Sequence, residues 1–281
     1  MKILLYGSPV LLYALAWWQA LGSREQAARP VRAMILVALL LHGVALVLPV
    51  AQPEPNFGFA HVLSAALWLA VGILWLESLT ARLDALWFLV LPAAVAVAWL
   101  PALYPGAPLA PPLAPLFVPH LLLGVGAYSF MTLAALQSIL MALAERALHD
   151  PARLSVAGVD AGAPTATPWS RWIDRLPPLM TLERLLFRLI GAGFVFLSLT
   201  VLTGVVFSEL AFGRPFRLDH KTVFTLLAWS LFATLLIGRR LQGWRGATAL
   251  RFTLGGFVLL MLAYAGSRFV FEVVLGRVPG A

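Results

Sequence analysis

The chain has 281 residues, of which 61% are hydrophobic and only 11% are charged, and its mean hydropathy is +0.91. A soluble domain carries roughly a quarter charged residues, so this composition excludes a water-soluble fold. No cysteine is present, which excludes disulfides and thiolate metal sites. The formal charge of +8 comes from basic residues that flank apolar runs, and this distribution indicates membrane topology rather than nucleic-acid binding.

Eight apolar runs of bilayer-spanning length follow one another along the chain. They predict helices at 4–21, 31–50, 59–78, 84–103, 117–143, 185–211, 220–238 and 250–275. Helices satisfy their own backbone polar groups inside a bilayer. The predicted fold class is therefore an all-α polytopic membrane protein with eight transmembrane helices, forming a single integral membrane domain over residues 1–281. Only Lys2 precedes the first run, so we expect an uncleaved first helix rather than a signal peptide.

The 20 Lys and Arg residues divide fourteen to six between the two ends of the predicted helices. By the positive-inside rule, the end with fourteen faces the cytoplasm, which places both termini outside. Residues 144–184 then form a cytoplasmic loop, with a flexible linker over 151–168 and a short amphipathic helix around 169–176 in the headgroup layer. Six prolines between Tyr104 and Pro119 predict a stiff polyproline-like cover on the outer face.

Histidines carry the strongest functional signal. His42, His61, His120 and His220 fall in the outer half of four different predicted helices, whereas His149 is cytoplasmic. Imidazoles that converge from separate helices can ligate haem or a soft metal without cysteine. The alternative for each histidine is a hydrogen bond to a backbone carbonyl or to interfacial water.

The outer loop between Glu209 and Lys221 is the densest polar cluster outside the cytoplasm. It contains two phenylalanines and the charged residues Arg214, Arg217, Asp219 and Lys221 beside His220. Aromatic rings cover a porphyrin face and cations pair with its propionates. We therefore predict His120 and His220 as axial ligands and the loop cations as propionate partners. The alternative for the cations is contact with lipid headgroups.

Motifs of soluble enzyme chemistry are missing from the sequence. It contains no Walker loop, no H-E-x-x-H and no nucleophile elbow. We expect that the protein is not an enzyme.

The last third of the chain carries four distinctive runs: PLMTLERLLFRLIGAG, LDHKTVF, QGWRG and LAYAGSRFV. They resemble the cytochrome c assembly proteins of CcsA/ResC type, and within these the short YpjD-like or HemX-like branch. The resemblance implies an eight-helix haem-handling fold in the bacterial inner membrane, so the outer side that the positive-inside rule gives to both termini is the periplasm. It also implies a role in haem export or cytochrome c maturation, with haem and other maturation membrane proteins as partners beside the lipid bilayer.

The outer loop departs from the pattern of that family. Asp219 and Lys221 match its W-x-W-D-P-K-E run, while the tryptophans and the acidic end are absent. His120 matches the outer histidine that precedes the loop, and His42 matches an intramembrane one. No second outer histidine follows Gly266, so His220 is the nearest substitute.

The sequence thus predicts an inner-membrane protein that binds or exports haem b, held non-covalently, on its periplasmic side and assists cytochrome c assembly. The alternative is a non-haem membrane transporter or accessory subunit in which a degenerate loop has lost its ligand. A Soret band from the purified protein distinguishes the two.

Overall fold

A computed structural model describes residues 2–22, 28–52, 56–79, 86–108, 117–148, 178–212 and 220–266. Within these ranges, seven helices are long and apolar enough to cross a membrane, and an eighth, shorter apolar segment covers Trp87–Leu103. The predicted all-α polytopic membrane fold is confirmed. The orientation of the termini stays a prediction.

The helices of the N-terminal half are α1 (Lys2–Gly22), α2 (Ala28–Val50), α3 (Phe59–Glu77), α4 (Trp87–Ala98) and the single turn α5 (Leu100–Leu103). Those of the C-terminal half are α6 (Phe117–Leu148), α7 (Leu179–Phe212), α8 (His220–Gln242) and α9 (Gly246–Met261), followed by a π-helical turn at Leu262–Gly266. Pro101 near the start of α5 explains the break after α4, because proline lacks an N–H and crowds the preceding helical turn.

Helices α6 and α7 are longer than their predicted spans of 117–143 and 185–211. At the two ends of the predicted cytoplasmic loop 144–184, residues 144–148 and 179–184 are therefore helical. Hydropathy marks where a helix leaves the hydrocarbon layer, whereas charged residues such as Glu and Arg continue a helix readily. The rest of that loop, including the predicted linker and amphipathic helix, lies outside the described residues.

Two short strands join the α2–α3 connection to the α5–α6 connection at one end of the bundle. β1 (Asn56–Phe57) pairs antiparallel with β2 (Ala107–Pro108), and Gly106 supplies the positive φ of 79° just before β2. This end is the one predicted to face outside, and we call it the outer end and the opposite one the inner end. Of the predicted proline-rich cover, 109–116 lies outside the described residues.

Pro119 is not part of an extended cover, because α6 already begins at Phe117. It occupies the first turn of the helix, where a missing N–H costs no hydrogen bond. The prediction of a non-helical stretch up to Pro119 was wrong at this edge.

Helix α6 joins the two halves of the molecule. It packs along α7 and also against α3 and α9, while α1 packs on α2 and α4, and α8 packs on α9 and α7. Glycines permit the close approach of α6 and α7. A Cβ on Gly126 would lie 2.7 Å from the Phe196 ring, and one on Gly193 would lie 2.9 Å from Met131 Cε. These glycines are therefore packing positions.

Candidate functional site

Two contacts between helices show how far along the bundle axis each histidine lies, which we call its height. Arg188 of α7 bonds Glu77 of α3 near the inner end, and His120 of α6 bonds Thr203 of α7 near the outer end. Thr203 lies about 23 Å along α7 from Arg188, and His61 lies about 24 Å along α3 from Glu77, at roughly 1.5 Å per residue. His61 and His120 therefore lie at nearly the same height at the outer end.

His42 lies about one turn deeper than these two. Its Nε2 is 2.9 Å from Ser64 Oγ on α3, and its Nδ1 is 3.4 Å from the Tyr13 hydroxyl on α1. The Tyr13 and His42 rings meet edge to face at 5.8 Å. His42 is only 1% exposed. Both ring nitrogens thus have hydroxyl partners from neighbouring helices, which is the arrangement of a satisfied buried imidazole.

His61 is also buried, at the outer start of α3. Its side chain lies within hydrogen-bonding reach of the Leu46 backbone on α2. The structure therefore brings His42 and His61 together at the α2–α3 interface, as part of the N-terminal half.

His120 is half-buried where the start of α6 meets the outer part of α7. Its Nδ1 is 3.0 Å from Thr203 Oγ1. The single Thr203 hydroxyl proton is donated to the backbone carbonyls of Leu199 at 2.8 Å and Thr200 at 3.1 Å. With the hydroxyl proton on a carbonyl, Thr203 Oγ1 accepts from His120 Nδ1–H, because a hydroxyl has only one proton to donate. In this arrangement the imidazole carries its proton on Nδ1 and its lone pair on Nε2.

Gly204 contacts the His120 ring, and Gly124 and Tyr128 follow His120 along α6. A Cβ on Gly204 would lie 3.3 Å from His120 Cε1, and one on Gly124 would lie 3.8 Å from Thr200. Two turns further in, the Tyr128 hydroxyl donates to the Leu260 carbonyl of α9 at 2.5 Å. Helices α6, α7 and α9 therefore pack together in the part of the bundle that holds His120.

His220 is the first residue of α8 and is exposed, and Lys221 follows it. Helix α8 begins at the outer end, where α7 finishes, so His220 shares that end with His120. The predicted propionate partners Arg214 and Arg217 and the neighbouring Asp219 lie outside the described residues. The axial pairing of His120 with His220 stays a prediction.

A cage of protein ligands for a bare metal ion is not found in the described part of the chain. No group of three or more His, Asp or Glu residues there could hold one.

Several residues of the site escaped sequence reasoning. Tyr13, Ser64 and Thr203 each partner a histidine from another helix, and nothing in the local pattern marks them. At the inner end, buried Glu183 pairs with Arg239 and Arg245 although it fell in the predicted loop. An acidic residue beside an apolar helical stripe was the only signal for it.

Comparison with known proteins gives one family and several partial relatives. The model of the family described as cytochrome c assembly protein matches residues 29–275. The inner membrane protein YpjD of Escherichia coli K12 is 38% identical over 101 residues, 36% of this chain and 38% of its own length. An uncharacterized 28.8 kDa protein of Azospirillum brasilense is 32% identical over 157 residues, 56% of this chain and 52% of its own.

The cytochrome c biogenesis protein CcsA of Heterosigma akashiwo is 33% identical over 97 residues, 34% of this chain and 30% of its own length. The chain thus covers between about a third and a half of the curated relatives it matches. No solved structure matches it.

Proposed function

We propose, since this chain belongs to the cytochrome c assembly protein family, that it binds haem b non-covalently at the outer end of its helical bundle and serves cytochrome c assembly. The membrane is the bacterial inner membrane, and the haem side is the periplasm. The chain binds and orients the haem without being a redox enzyme itself. Other membrane proteins of cytochrome c maturation are the partners of this function.

The hydrogen bond between His120 Nδ1 and Thr203 Oγ1 carries the proposal. An imidazole that ligates iron is held by a hydrogen bond from its other ring nitrogen, which sets the orientation of the ring and raises its basicity. Thr203 supports the proposal in this way, because its Oγ1 lies 3.0 Å from His120 Nδ1. Gly204 supports it further, since a residue without a side chain lies against the His120 ring. The residues present at this end therefore fit a haem.

In this proposal, each residue of the outer end has a separate task. His120 Nε2 and His220 would hold the haem iron. Arg214, Arg217 and Lys221 would neutralise the propionates, with Asp219 beside them in the sequence. Bound haem supplies the iron chemistry, while the protein supplies ligation, orientation and charge. His61 lies at the height of His120 and is the first replacement for His220. His42 supports the bundle below them through Tyr13 and Ser64.

The test is a haemin titration of the purified full-length protein, followed by the Soret band. We expect the wild type to take up one haem, and His120→Ala to lower the affinity by at least about 100-fold, since an axial ligand with its oriented partner is lost. His149→Ala, on a histidine predicted to lie at the opposite end, is the matched control and leaves the spectrum unchanged.

Two outcomes contradict the proposal at different levels. An unchanged spectrum in His120→Ala moves the ligation to His61 or His42 but keeps the haem function. A colourless wild type that takes up no added haemin removes the haem function, and supports a transporter or accessory subunit.

A further inference from the structure

Arginines crowd the inner end of α7, α8 and α9. They are Arg184, Arg188, Arg239, Arg240, Arg245 and Arg251. Two carboxylates form ion pairs with three of the six. Glu183 pairs with Arg239 and, at 3.2 Å, with Arg245, and Glu77 pairs with Arg188 at 2.5 Å.

Three of these arginines are left over. Arg184, Arg240 and Arg251 are exposed and make no ion pair with a carboxylate in the ranges that the structure describes. We call these three residues the arginine surface. Their guanidinium groups present positive charge at the inner end of the bundle.

The backbone beneath this surface is fixed. Trp244, in the turn between α8 and α9, packs against Gly238. A Cβ on Gly238 would lie 2.5 Å from the indole. The indole also meets the Phe252 ring at 5.1 Å. Gly243 and Gly246 give this turn its positive φ values of 67° and 52°. Arg240 and Arg251 therefore project from a rigid helical hairpin.

Exposed apolar side chains alternate with these cations. Leu241 is 79% exposed beside Arg240, and Met180 is 49% exposed one turn from Arg184. A phospholipid offers a phosphate for the guanidinium and an acyl chain for the neighbouring apolar group. A nucleic acid or a soluble anion matches only the cations and would leave these side chains in water.

The height of the surface also suits headgroups. Helix α3 ends at Glu77, which is level with Arg188 through their ion pair. Arg184 lies one turn beyond Arg188, about 6 Å further along α7. A headgroup layer is about 5 to 7 Å thick on each side of the hydrocarbon core, so Arg184 falls within that layer when Glu77 marks its boundary.

We propose that the arginine surface is a binding site for the phosphate groups of anionic phospholipids. Arg184, Arg240 and Arg251 contact the phosphate oxygens, and Leu241 and Met180 contact the upper acyl chains. Arg239 and Arg245 already have a carboxylate partner in Glu183. This site is independent of the haem function at the other end.

The experiment titrates lipid into the full-length protein in neutral detergent and follows its melting temperature. The ligands are phosphatidylglycerol, phosphatidylcholine with the same acyl chains, and inorganic phosphate. We expect saturable stabilisation by phosphatidylglycerol alone. Near an anionic surface each arginine adds a factor of about five in affinity, so R240Q weakens binding about fivefold and R184Q/R240Q/R251Q on the order of 100-fold.

The matched control is R29Q/R146Q, which removes two exposed arginines of the same end that lie on α2 and α6. It keeps the wild-type affinity. Equal stabilisation by phosphatidylcholine, or by inorganic phosphate, overturns the proposal, as does an equal loss in the control. Should the triple variant fail to fold, R240Q decides: a fivefold loss supports the site and an unchanged affinity overturns it.

Discussion

His42 and His120 lie within about one turn of each other in height, yet their burial and hydrogen-bond partners differ between the two halves of the molecule. In the N-terminal half, His42 is enclosed and has a hydroxyl at each ring nitrogen. In the C-terminal half, His120 is half-buried and its Nδ1 lies 3.0 Å from Thr203 Oγ1. The comparison shows that position in a span does not set the role of an imidazole. The partners of its two nitrogens do.

The largest expected effect is on stability, in the enclosed half. His42→Ala removes the shared partner of Ser64 and Tyr13 and leaves a cavity among α1, α2 and α3. We expect a loss of about 3 kcal/mol in the free energy of unfolding, from two unpaired buried hydroxyls together with the lost packing. Unfolding by denaturing detergent measures it.

His120→Ala is the companion variant, and it should cost less than about 1 kcal/mol because that imidazole is half-buried. Equal losses of unfolding free energy in the two variants would contradict the distinction between the enclosed His42 and the half-buried His120.

The next effect is on haem affinity. Thr203→Val removes the acceptor of His120 Nδ1–H while keeping the volume of the side chain. Loss of such an outer partner lowers metal affinity by about 10 to 100-fold, and we expect at least tenfold in a haemin titration. Thr203→Ser keeps the hydroxyl and restores the affinity. A Val variant with wild-type affinity would show that Thr203 does not orient the ligand.

The smallest expected effect comes from Gly204, which contacts the His120 ring. Gly204→Ala places a Cβ 3.3 Å from His120 Cε1, so the imidazole must shift by a few tenths of an ångström. We expect a haem affinity lowered by about threefold, or roughly 0.6 kcal/mol. Gly124→Ala is the control, since its Cβ would make an ordinary 3.8 Å contact with Thr200. The two variants should differ in the titration and agree in stability.

The fold was largely predictable from the sequence, and its helix ends were not. Long apolar runs report the hydrocarbon layer, so all eight segments were found. Glu145 and Arg184 ended the predicted spans although they lie inside α6 and α7. A charge is unfavourable in the bilayer but favourable in a helix that extends past it. Hydropathy alone cannot separate these two boundaries.

The site was predictable as a set of histidines but not as a network. The sequence placed His42, His61 and His120 in outer halves, and in the structure the three lie near the same end of the bundle. It could not supply Ser64 or Thr203 as partners, because the rotation of each helix is set by packing between segments far apart in the chain. Glu183 escaped for the same reason, since Arg239 and Arg245 reach it from the other side of a long connection.

The position of α6 between the halves dictates an order of events during synthesis. Helices α1 to α4 pack on one another, so they can close into a bundle before α6 leaves the ribosome. Helices α7 and α9 both pack on α6, and their bundle is complete only when the last helix has been inserted. Because local contacts form sooner than distant ones, the wall around His120 is assembled last, on an N-terminal bundle that is already in place.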